Sequence, residues 1–492
     1  MAPGRKVNAT RPWGLHWRSA YWFATYVVGL GVAVDVVVYS IIIPVVPFQL
    51  EHLGYSNVSA LSGWLLFAYS GGLLLSTIPV AMWSEHYNAR KYPMLVGLLA
   101  LIGSQIMFME APTYAVMCVA RIIQGVSSSV IWVVGLAFLC DVVPPEIIGR
   151  QLGIAMGGLS FGLVVAPPLG GVLYSHLGFR GPFVFALIAA FVDLVSRLIM
   201  IEQKEATKWG VHPTIRSSSA GGTLEEAFDP APGDTKSENL SEPQARANEE
   251  GKTDPSLHRP LGTSEDPAVG SKRAVEKPLP LFQVMLRLLK SSRALVALVI
   301  SFIYGFVYSS QEPALPLHLQ SLWGLSSQRV GVLFLALSVP MLFSSPITGW
   351  FVDALGAEWV ATASMLLAIP WWGVVTVQGS LALFGVSFAL QSFFTSGAIS
   401  PLFAELAAVS RNIHGVGYAH VYAAFNVAYG IGTTVGPIAG GQMYDHIQNG
   451  WFAICVLGAA LLFVSVLLAI PYTGDKPLLV RARDVLRRRV ST

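Results

Sequence analysis

Residues 162–171 read GLVVAPPLGG, and residues 432–441 read GTTVGPIAGG. The positions that define the shared pattern are Gly162, Ala166, Pro167, Gly170 and Gly171 in the first copy and Gly432, Gly436, Pro437, Gly440 and Gly441 in the second. Both copies lie within long apolar stretches, where small residues let helices approach closely and proline bends a helix. A single copy would be typical of ordinary helix packing, whereas two copies at matching places indicate a duplicated gating element.

A second repeat has nearly the same offset. Residues 44–50 read PVVPFQL and residues 313–319 read PALPLHL, which share the pattern PxxPxxL. A steady offset of about 270 residues across most of each half indicates internal duplication. Parallel six-helix repeats with a substrate site at the membrane midplane are a known transporter architecture.

The composition agrees with a membrane protein. Of the 492 residues, 53% are hydrophobic and only 12% are charged, which is more apolar surface than one soluble core can use. About twelve apolar stretches are long enough to cross roughly 30 Å of hydrocarbon. The sequence therefore predicts an all-α polytopic membrane protein with twelve transmembrane helices in two six-helix bundles.

The distribution of charge predicts the boundaries and the orientation. Lys and Arg collect in both tails, in the central segment and in alternate loops, which predicts that both termini are cytoplasmic. The central segment is rich in Ser, Gly, Pro and charged residues, a composition typical of disordered chain. The predicted parts are a cytoplasmic tail (1–18), a first six-helix bundle (19–202), a largely disordered cytoplasmic linker (203–292), a second bundle (293–472) and a basic cytoplasmic tail (473–492).

One glycosylation sequon falls on the non-cytoplasmic side. Asn57 begins the Asn-Val-Ser sequence in the first non-cytoplasmic loop and is a candidate for glycosylation. The expected location is the plasma membrane or a vacuolar or vesicular membrane, between which the sequence does not choose.

Charged residues within the predicted spans include three acids and one arginine that are candidates for function. Asp35 lies mid-span in GVAVDVVV, Glu312 opens EPALP, and Glu405 lies in the tenth span. Charged groups at membrane depth are costly and indicate function, and removal from water generally favours the neutral form of a carboxyl group. The three acids are therefore candidate proton carriers. Arg121, in the fourth span, has two interpretations: a functional cation, which we favour, or a snorkelling residue near the end of its helix.

The doubled signature, together with Arg121-Ile122-Ile123-Gln124-Gly125, resembles the major facilitators, in particular their twelve-span drug:proton antiporter branch. In that family the arginine of the RxxQG motif is linked to proton coupling. Glu85, Arg90 and Lys91 are similar to the family's loop after span 2, in a degenerate form, and Asp353 lies in the second-half counterpart. The resemblance implies that these four residues help to latch the cytoplasmic gate.

A closer resemblance comes from Asp35, nine residues before Pro44, together with the EPALP string. Both features resemble the vesicular amine transporters, which exchange lumenal protons for cationic amines, and fungal drug:proton antiporters share much of this layout. The resemblance implies that Asp35 meets the substrate's ammonium group, Glu312 assists binding and Glu405 couples protons. Where the vesicular proteins pair a lysine with an aspartate, this chain has Ser70 and Asn426, so substrate details do not carry over.

Several aromatic residues in the spans suit a substrate cavity. Tyr39, Trp132, Tyr422, Phe425 and Tyr429 would accept flat or cationic molecules by stacking and cation-π contact, although most membrane aromatics simply pack. The residues predicted to bind substrate are Asp35, Glu312, Tyr39, Tyr422 and Asn426, and those predicted to couple protons are Asp35, Arg121 and Glu405.

The sequence thus predicts a secondary active transporter that exports or sequesters small organic molecules, such as drugs, amines or secondary metabolites, in exchange for protons by alternating access. We expect a monomer in the bilayer that uses the proton gradient and needs no cofactor, metal or nucleic acid. The alternatives are a proton-coupled symporter for uptake and a transport-inactive membrane sensor. A membrane enzyme is disfavoured because no nucleophile and base, metal cluster or phosphate-binding loop has usable spacing.

Overall fold

The computed structural model describes residues 12–87, 90–144, 147–207, 209, 288–411, 418–475, 477–481 and 483–484. The side chains of residues 84–87, 148–149, 203–204, 410–411 and 418–423 fall outside this description. Most of the predicted linker also lies outside the described residues, and the predicted boundaries stay predictions.

Helices make up most of the described chain. The twelve long ones among the described residues are α1 (Tyr21–Ser40), α2 (Val58–Tyr87), α3 (Lys91–Met109), α4 (Tyr114–Val142), α5 (Ile148–Leu177), α6 (Arg180–Ile199), α7 (Ser292–Ser310), α8 (Ser327–Leu355), α9 (Ala357–Val374), α10 (Leu381–Ser396), α11 (Tyr418–His446) and α12 (Gly450–Tyr472). Shorter helices comprise Leu15–Arg18, Val46–His52, Gln203–Thr207, Leu315–Trp323 and Ile399–Arg411.

The repeated PxxP pattern breaks α1 and α7 at equivalent places. A proline lacks the N–H group for the helical hydrogen bond and its ring clashes with the carbonyl group four residues earlier. Accordingly α1 ends at Ser40, four residues before Pro44, and α7 ends at Ser310, three residues before Pro313. A short helix follows each break, with the second proline in its first turn. Glu312 lies within the second break.

The packing has the twofold repetition that the sequence predicts. In the first half α1 packs on α5, α2 on α4 and α3 on α6. In the second half α7 packs on α11, α8 on α10 and α9 on α12. Among the described residues, ten helical stretches are long and apolar enough to cross a membrane, and α9 and α11 are less apolar. The polytopic helical fold is confirmed, while the count of twelve spans and the side of the termini stay predictions.

The first copy of the doubled signature packs α5 directly against α1. A Cβ atom at Gly162 would lie 2.8 Å from the side chain of Val36, and one at Gly170 would overlap the carbonyl oxygen of Ile41. Ala166 is fully buried. These positions therefore need small residues.

The second copy packs α11 against α7 in the same way. Cβ atoms at Gly432 and Gly440 would overlap the backbone carbonyl groups of Phe302 and Ser310, and one at Gly436 would collide with Ser309. The two copies thus hold equivalent helix pairs at backbone contact.

Other residues of the signature join the two halves, through α2 with α11 and through α5 with α8. The four close approaches join Pro167 to Gly331, Gly171 to Ser327, Pro437 to Gly63 and Gly441 to Ser59. We call the side where α1 begins and α12 ends the termini side, and the opposite side the far side. Because α5 and α11 end and α2 and α8 begin at the far side, the halves close on each other there.

A substitution in the signature tests this packing. Gly440→Ala is expected to destabilise the protein by about 1–3 kcal/mol, because the new methyl group would displace the backbone at Ser310. The measurement is the unfolding midpoint in detergent. Gly157→Ala is the matched control, because nothing lies within 4 Å of a Cβ at that helical glycine. Equal midpoints for the two variants would contradict the packing described here.

Candidate functional site

Asp35 lies in α1 and is buried, with 1% of its surface exposed. Its Oδ2 accepts hydrogen bonds from Ser128 Oγ at 2.6 Å and from Trp132 Nε1 at 2.8 Å, and the Tyr69 hydroxyl lies 3.2 Å away. Its Oδ1 has no hydrogen-bond partner among the described residues. Asp35 is thus a membrane-buried acid that neutral donors hold by one oxygen, with the other oxygen free to take a proton or a ligand.

The backbone of α4 explains how Trp132 reaches Asp35. Residues Ile131–Gly135 form a turn of π-helix between two α-helical segments. Such turns insert one extra residue, reorient the side chains that follow and are frequent at functional sites. The amino-acid sequence carries no recognisable signal for this turn, so its role could not be predicted.

Glu312 connects the second half to the same site. It is buried, with 5% of its surface exposed, in the break after α7. The hydroxyl of Tyr39, one helical turn after Asp35, donates a hydrogen bond to Glu312 Oε2 at 2.7 Å. The rings of Tyr39 and Tyr69 lie 4.9 Å apart. Two tyrosines therefore link the acid of the first half to the acid of the second.

Arg121 supplies a buried positive charge beside both tyrosines. Its guanidinium carbon lies 4.8 Å from the ring centre of Tyr69 and 5.6 Å from that of Tyr39. Nη1 donates to Gln124 Oε1 at 2.9 Å, while Nη2 has no hydrogen-bond partner among the described residues. A desolvated cation-π contact contributes about 2 kcal/mol. Arg121 is fully buried, so the snorkelling interpretation does not fit its position.

Buried glutamines extend this polar region, and the sequence analysis, which quoted Gln124 only within its motif, assigned none of them a role. Gln124 Nε2 donates to Gln105 Oε1 at 3.0 Å in the first half, and Gln391 Nε2 donates to Gln311 Oε1 at 2.8 Å in the second. Gln391 follows Arg121 by 270 residues, which is the repeat offset. This offset could have identified Gln391 from the sequence, because it places a neutral side chain at the position that Arg121 occupies in the first half.

The other residues predicted to bind substrate or couple protons are Asn426, Tyr422 and Glu405. Asn426 is exposed on α11, and the side chain of Tyr422 lies outside the described residues. Glu405 is buried in the helix after α10, where its Oε1 accepts a hydrogen bond from Arg293 Nε at 2.7 Å. Its Oε2 accepts from the backbone N–H of Gly474 at 3.0 Å. Glu405 therefore ties the start of α7 to the segment after α12, and its coupling role stays a prediction.

Glu405→Gln separates these two roles. The variant loses the ion pair with Arg293, which is partly exposed and keeps Asp475 as a partner, and a hydrogen bond to a charged group contributes about 1.5–3 kcal/mol. We expect a lower unfolding midpoint and faster tryptic cleavage of the segment after α12, with proton-driven transport retained by the folded fraction. Asp475→Asn removes the exposed partner of Arg293 and should have a small effect. Unchanged stability with loss of proton coupling would instead support the coupling role.

Two of the predicted gate-loop residues, Arg90 and Lys91, form contacts within the first half. Arg90 Nε lies 3.0 Å from Asp141 Oδ2 at the end of α4, and Lys91 Nζ donates to the carbonyl oxygen of Met200 at 2.6 Å. The side chain of Glu85 lies outside the described residues, and Asp353 is exposed. Asn57 is also exposed. Gating by these residues and glycosylation of Asn57 stay predictions.

Two repeated six-helix halves, joined at their buried acids by the hydrogen bond from Tyr39 to Glu312 with a buried arginine beside it, define a membrane transporter. The family model of the Major Facilitator Superfamily matches residues 28–311 and 297–489. The chain belongs to the Major Facilitator Superfamily. It is an integral multi-pass membrane transporter of small solutes and not an enzyme.

Curated relatives and solved structures agree with this family. The MFS-type transporter ppzB of Metarhizium rileyi is 25% identical over 484 residues, which cover 93% of this chain and 95% of the relative. The synaptic vesicular amine transporter of Rattus norvegicus is 25% identical over 395 residues, covering 79% of this chain and 62% of the relative. The predicted resemblance to vesicular amine transporters is confirmed.

Two solved structures share the fold. One is a bacterial homolog of the human lysosomal transporter Spinster in an inward-facing, unoccupied conformation, with a TM-score of 0.66, 14% identity, and coverage of 92% of this chain and 99% of that chain. The other is a D-xylose-proton symporter, with a TM-score of 0.63, 12% identity, and coverage of 92% and 97%.

Proposed function

We propose that this transporter exports or sequesters small organic molecules, cationic ones above all, in exchange for protons. The observation that carries the proposal is the connection between Asp35 and Glu312, two buried acids from different halves that Tyr69 and Tyr39 link. Amines and many drugs and secondary metabolites carry the positive charge that these acids would attract.

The charge of this site explains why substrate and proton would exclude each other. Asp35 and Glu312 carry two negative charges when both are ionised, and Arg121, which stays protonated, carries one positive charge. The three groups then have one net negative charge at membrane depth, which is unfavourable. Either one proton or one ammonium group of a substrate removes it. Competition for this single charge is the simplest basis for exchange.

The contact between Tyr39 and Glu312 links this competition to alternating access. The hydrogen bond joins α1 of the first half to the break after α7 in the second half. A substrate cation on Glu312 would displace the Tyr39 hydroxyl and change the contact between the halves. Binding would then shift the balance between the two forms, as alternating access requires.

An aromatic column beside Glu312 favours flat or cationic substrates. The ring of Phe425 is stacked 5.9 Å from Tyr429, which is stacked 5.7 Å from Tyr304, which in turn lies 6.3 Å from Tyr308. Tyr308 is one turn before Glu312 on the second half. Phe425 and Tyr304 are buried, so Tyr429 and Tyr308, which are partly exposed, are the rings that would bind an organic cation through cation-π contact. The name of the vesicular amine transporter relative agrees with this class of substrate.

Proton release on substrate binding tests the proposal. Purified protein in weakly buffered detergent solution is mixed with tetraphenylphosphonium or tyramine, and a pH dye reports the protons released. Exchange predicts proton release when either cation binds, and less release in Asp35→Asn and Glu312→Gln. Proton uptake on binding would favour the symport alternative, and binding without any proton change would contradict both forms of coupling.

A further inference from the structure

Asp445 supplies a helix cap across the interface between the two halves. It lies near the end of α11 at the far side, and its Oδ2 accepts a hydrogen bond from the backbone N–H of Ala60 at 2.7 Å. Ala60 belongs to the first turn of α2, where N–H groups have no partner within their own helix. A carboxylate at a helix N-terminus is also stabilised by the helix dipole.

The spacing of α11 brings this carboxylate into reach. Pro437, Gly441 and Asp445 are four residues apart, so they lie along one face of the helix. The first two contact Gly63 and Ser59 of α2 at backbone distance, which leaves no room for a Cβ atom at Gly441. The close approach that the signature permits therefore places the Asp445 carboxylate at the start of α2.

We call the two lines of contact between the halves the α2–α11 seam and the α5–α8 seam. The α5–α8 seam has no carboxylate at the position equivalent to Asp445. Ser175 precedes Asp445 by the repeat offset of 270 residues. Its hydroxyl lies 3.5 Å from Gln328 Oε1 in the first turn of α8. Ser326, which precedes α8, makes no side-chain cap hydrogen bond. The two seams thus share their backbone packing but differ in their caps, because only the α2–α11 seam has an acid at this position.

We propose that Asp445 is the latch that holds the far side closed, and that the halves part there only when its bond to Ala60 breaks. Two other contacts join the halves at this side. The one from Gln320 Nε2 to Glu51 Oε2 at 2.9 Å is exposed and exchanges with water at little cost, and the one from Ser327 Oγ to the carbonyl oxygen of Pro44 at 2.6 Å is buried but joins neutral groups, which form weaker hydrogen bonds than a carboxylate does. The cap is only partly exposed and joins the ends of two helices that move with different halves. This role goes beyond proton exchange and does not depend on the transported molecule.

A distance measurement tests the latch without any transport. Spin labels are placed at Thr113→Cys and Gln378→Cys, two exposed far-side positions on different halves, in a chain whose three native cysteines are replaced by serine. Asp445→Ala is expected to increase the ratio of long to short distances about two- to thirty-fold, the range that the loss of a helix cap gives. Asp445→Asn should keep the short distance because asparagine also caps helices.

Three further variants make the test specific. Ser175→Ala removes the hydroxyl of the equivalent seam and should leave the distances unchanged. Ser175→Asp combined with Asp445→Ala should restore the short distance by capping α8 instead. Glu51→Ala removes the exposed contact with Gln320 and should leave the distances unchanged. Unchanged distances in Asp445→Ala, or equal opening by Ser175→Ala or Glu51→Ala, would overturn the proposal.

Discussion

Asp35→Asn is expected to abolish export that a proton gradient drives. Asparagine keeps the size of the side chain and an oxygen that accepts from Ser128 and Trp132, so the local structure should persist. It cannot exchange a proton, and loss of such a group typically lowers rates on the order of 100-fold or more. The measurement is the initial rate of uptake of tetraphenylphosphonium into vesicles with an imposed pH gradient.

The control for Asp35→Asn is Asp484→Asn, which changes an exposed acid of the segment after α12. This control should transport at the rate of the unmodified protein. The unfolding midpoint in detergent shows whether the Asp35 variant still folds. A variant that binds the cation and still moves it against protons at the normal rate would exclude Asp35 as the coupling group.

Glu312→Gln is expected to weaken the binding of cations selectively. Glutamine still accepts the hydrogen bond from Tyr39, but it carries no charge to attract an ammonium group. A hydrogen bond to a charged group contributes about 1.5–3 kcal/mol, so affinity for tyramine should fall about 10- to 150-fold. Isothermal titration of the purified protein measures the change.

Tyr39→Phe is the matched variant for Glu312→Gln. It removes only the hydroxyl that occupies Glu312 Oε2, at the same contact between the halves. Because the carboxylate stays charged, affinity for tyramine should change far less than in Glu312→Gln. If a neutral aromatic compound of the same size lost affinity as strongly as tyramine in Glu312→Gln, the charge of Glu312 would not be what recognises the substrate.

Much of the fold was predictable because membrane insertion and gene duplication leave strong patterns. The doubled signature, the PxxP breaks and the apolar stretches each follow from local chemistry, and the structure places them at equivalent positions. The sequence did not predict which glycines of the signature contact their own half and which contact the other half. Gly170 faces its own half and Gly171 faces the other, a difference that depends on the helix positions.

The site was predictable in part, and the reasons differ from residue to residue. Asp35, Glu312 and Arg121 stand out because charge within a span is rare, and the structure brings all three together. Tyr69 and Ser128 did not stand out, because neutral polar and aromatic residues are common in membrane helices. Glu405, like Asp35, is an acid within a predicted span. Its partner Arg293 is 112 residues away in sequence, so the ion pair between them was not predicted.

The most direct test of proton exchange is the direction of substrate flux in proteoliposomes with an imposed pH gradient and no membrane potential. Exchange predicts that tetraphenylphosphonium accumulates in the more acidic compartment, that its flux reverses when the gradient is reversed, and that Asp35→Asn stops it. Accumulation in the more alkaline compartment, or flux that ignores the gradient, would contradict exchange and leave only the transporter fold.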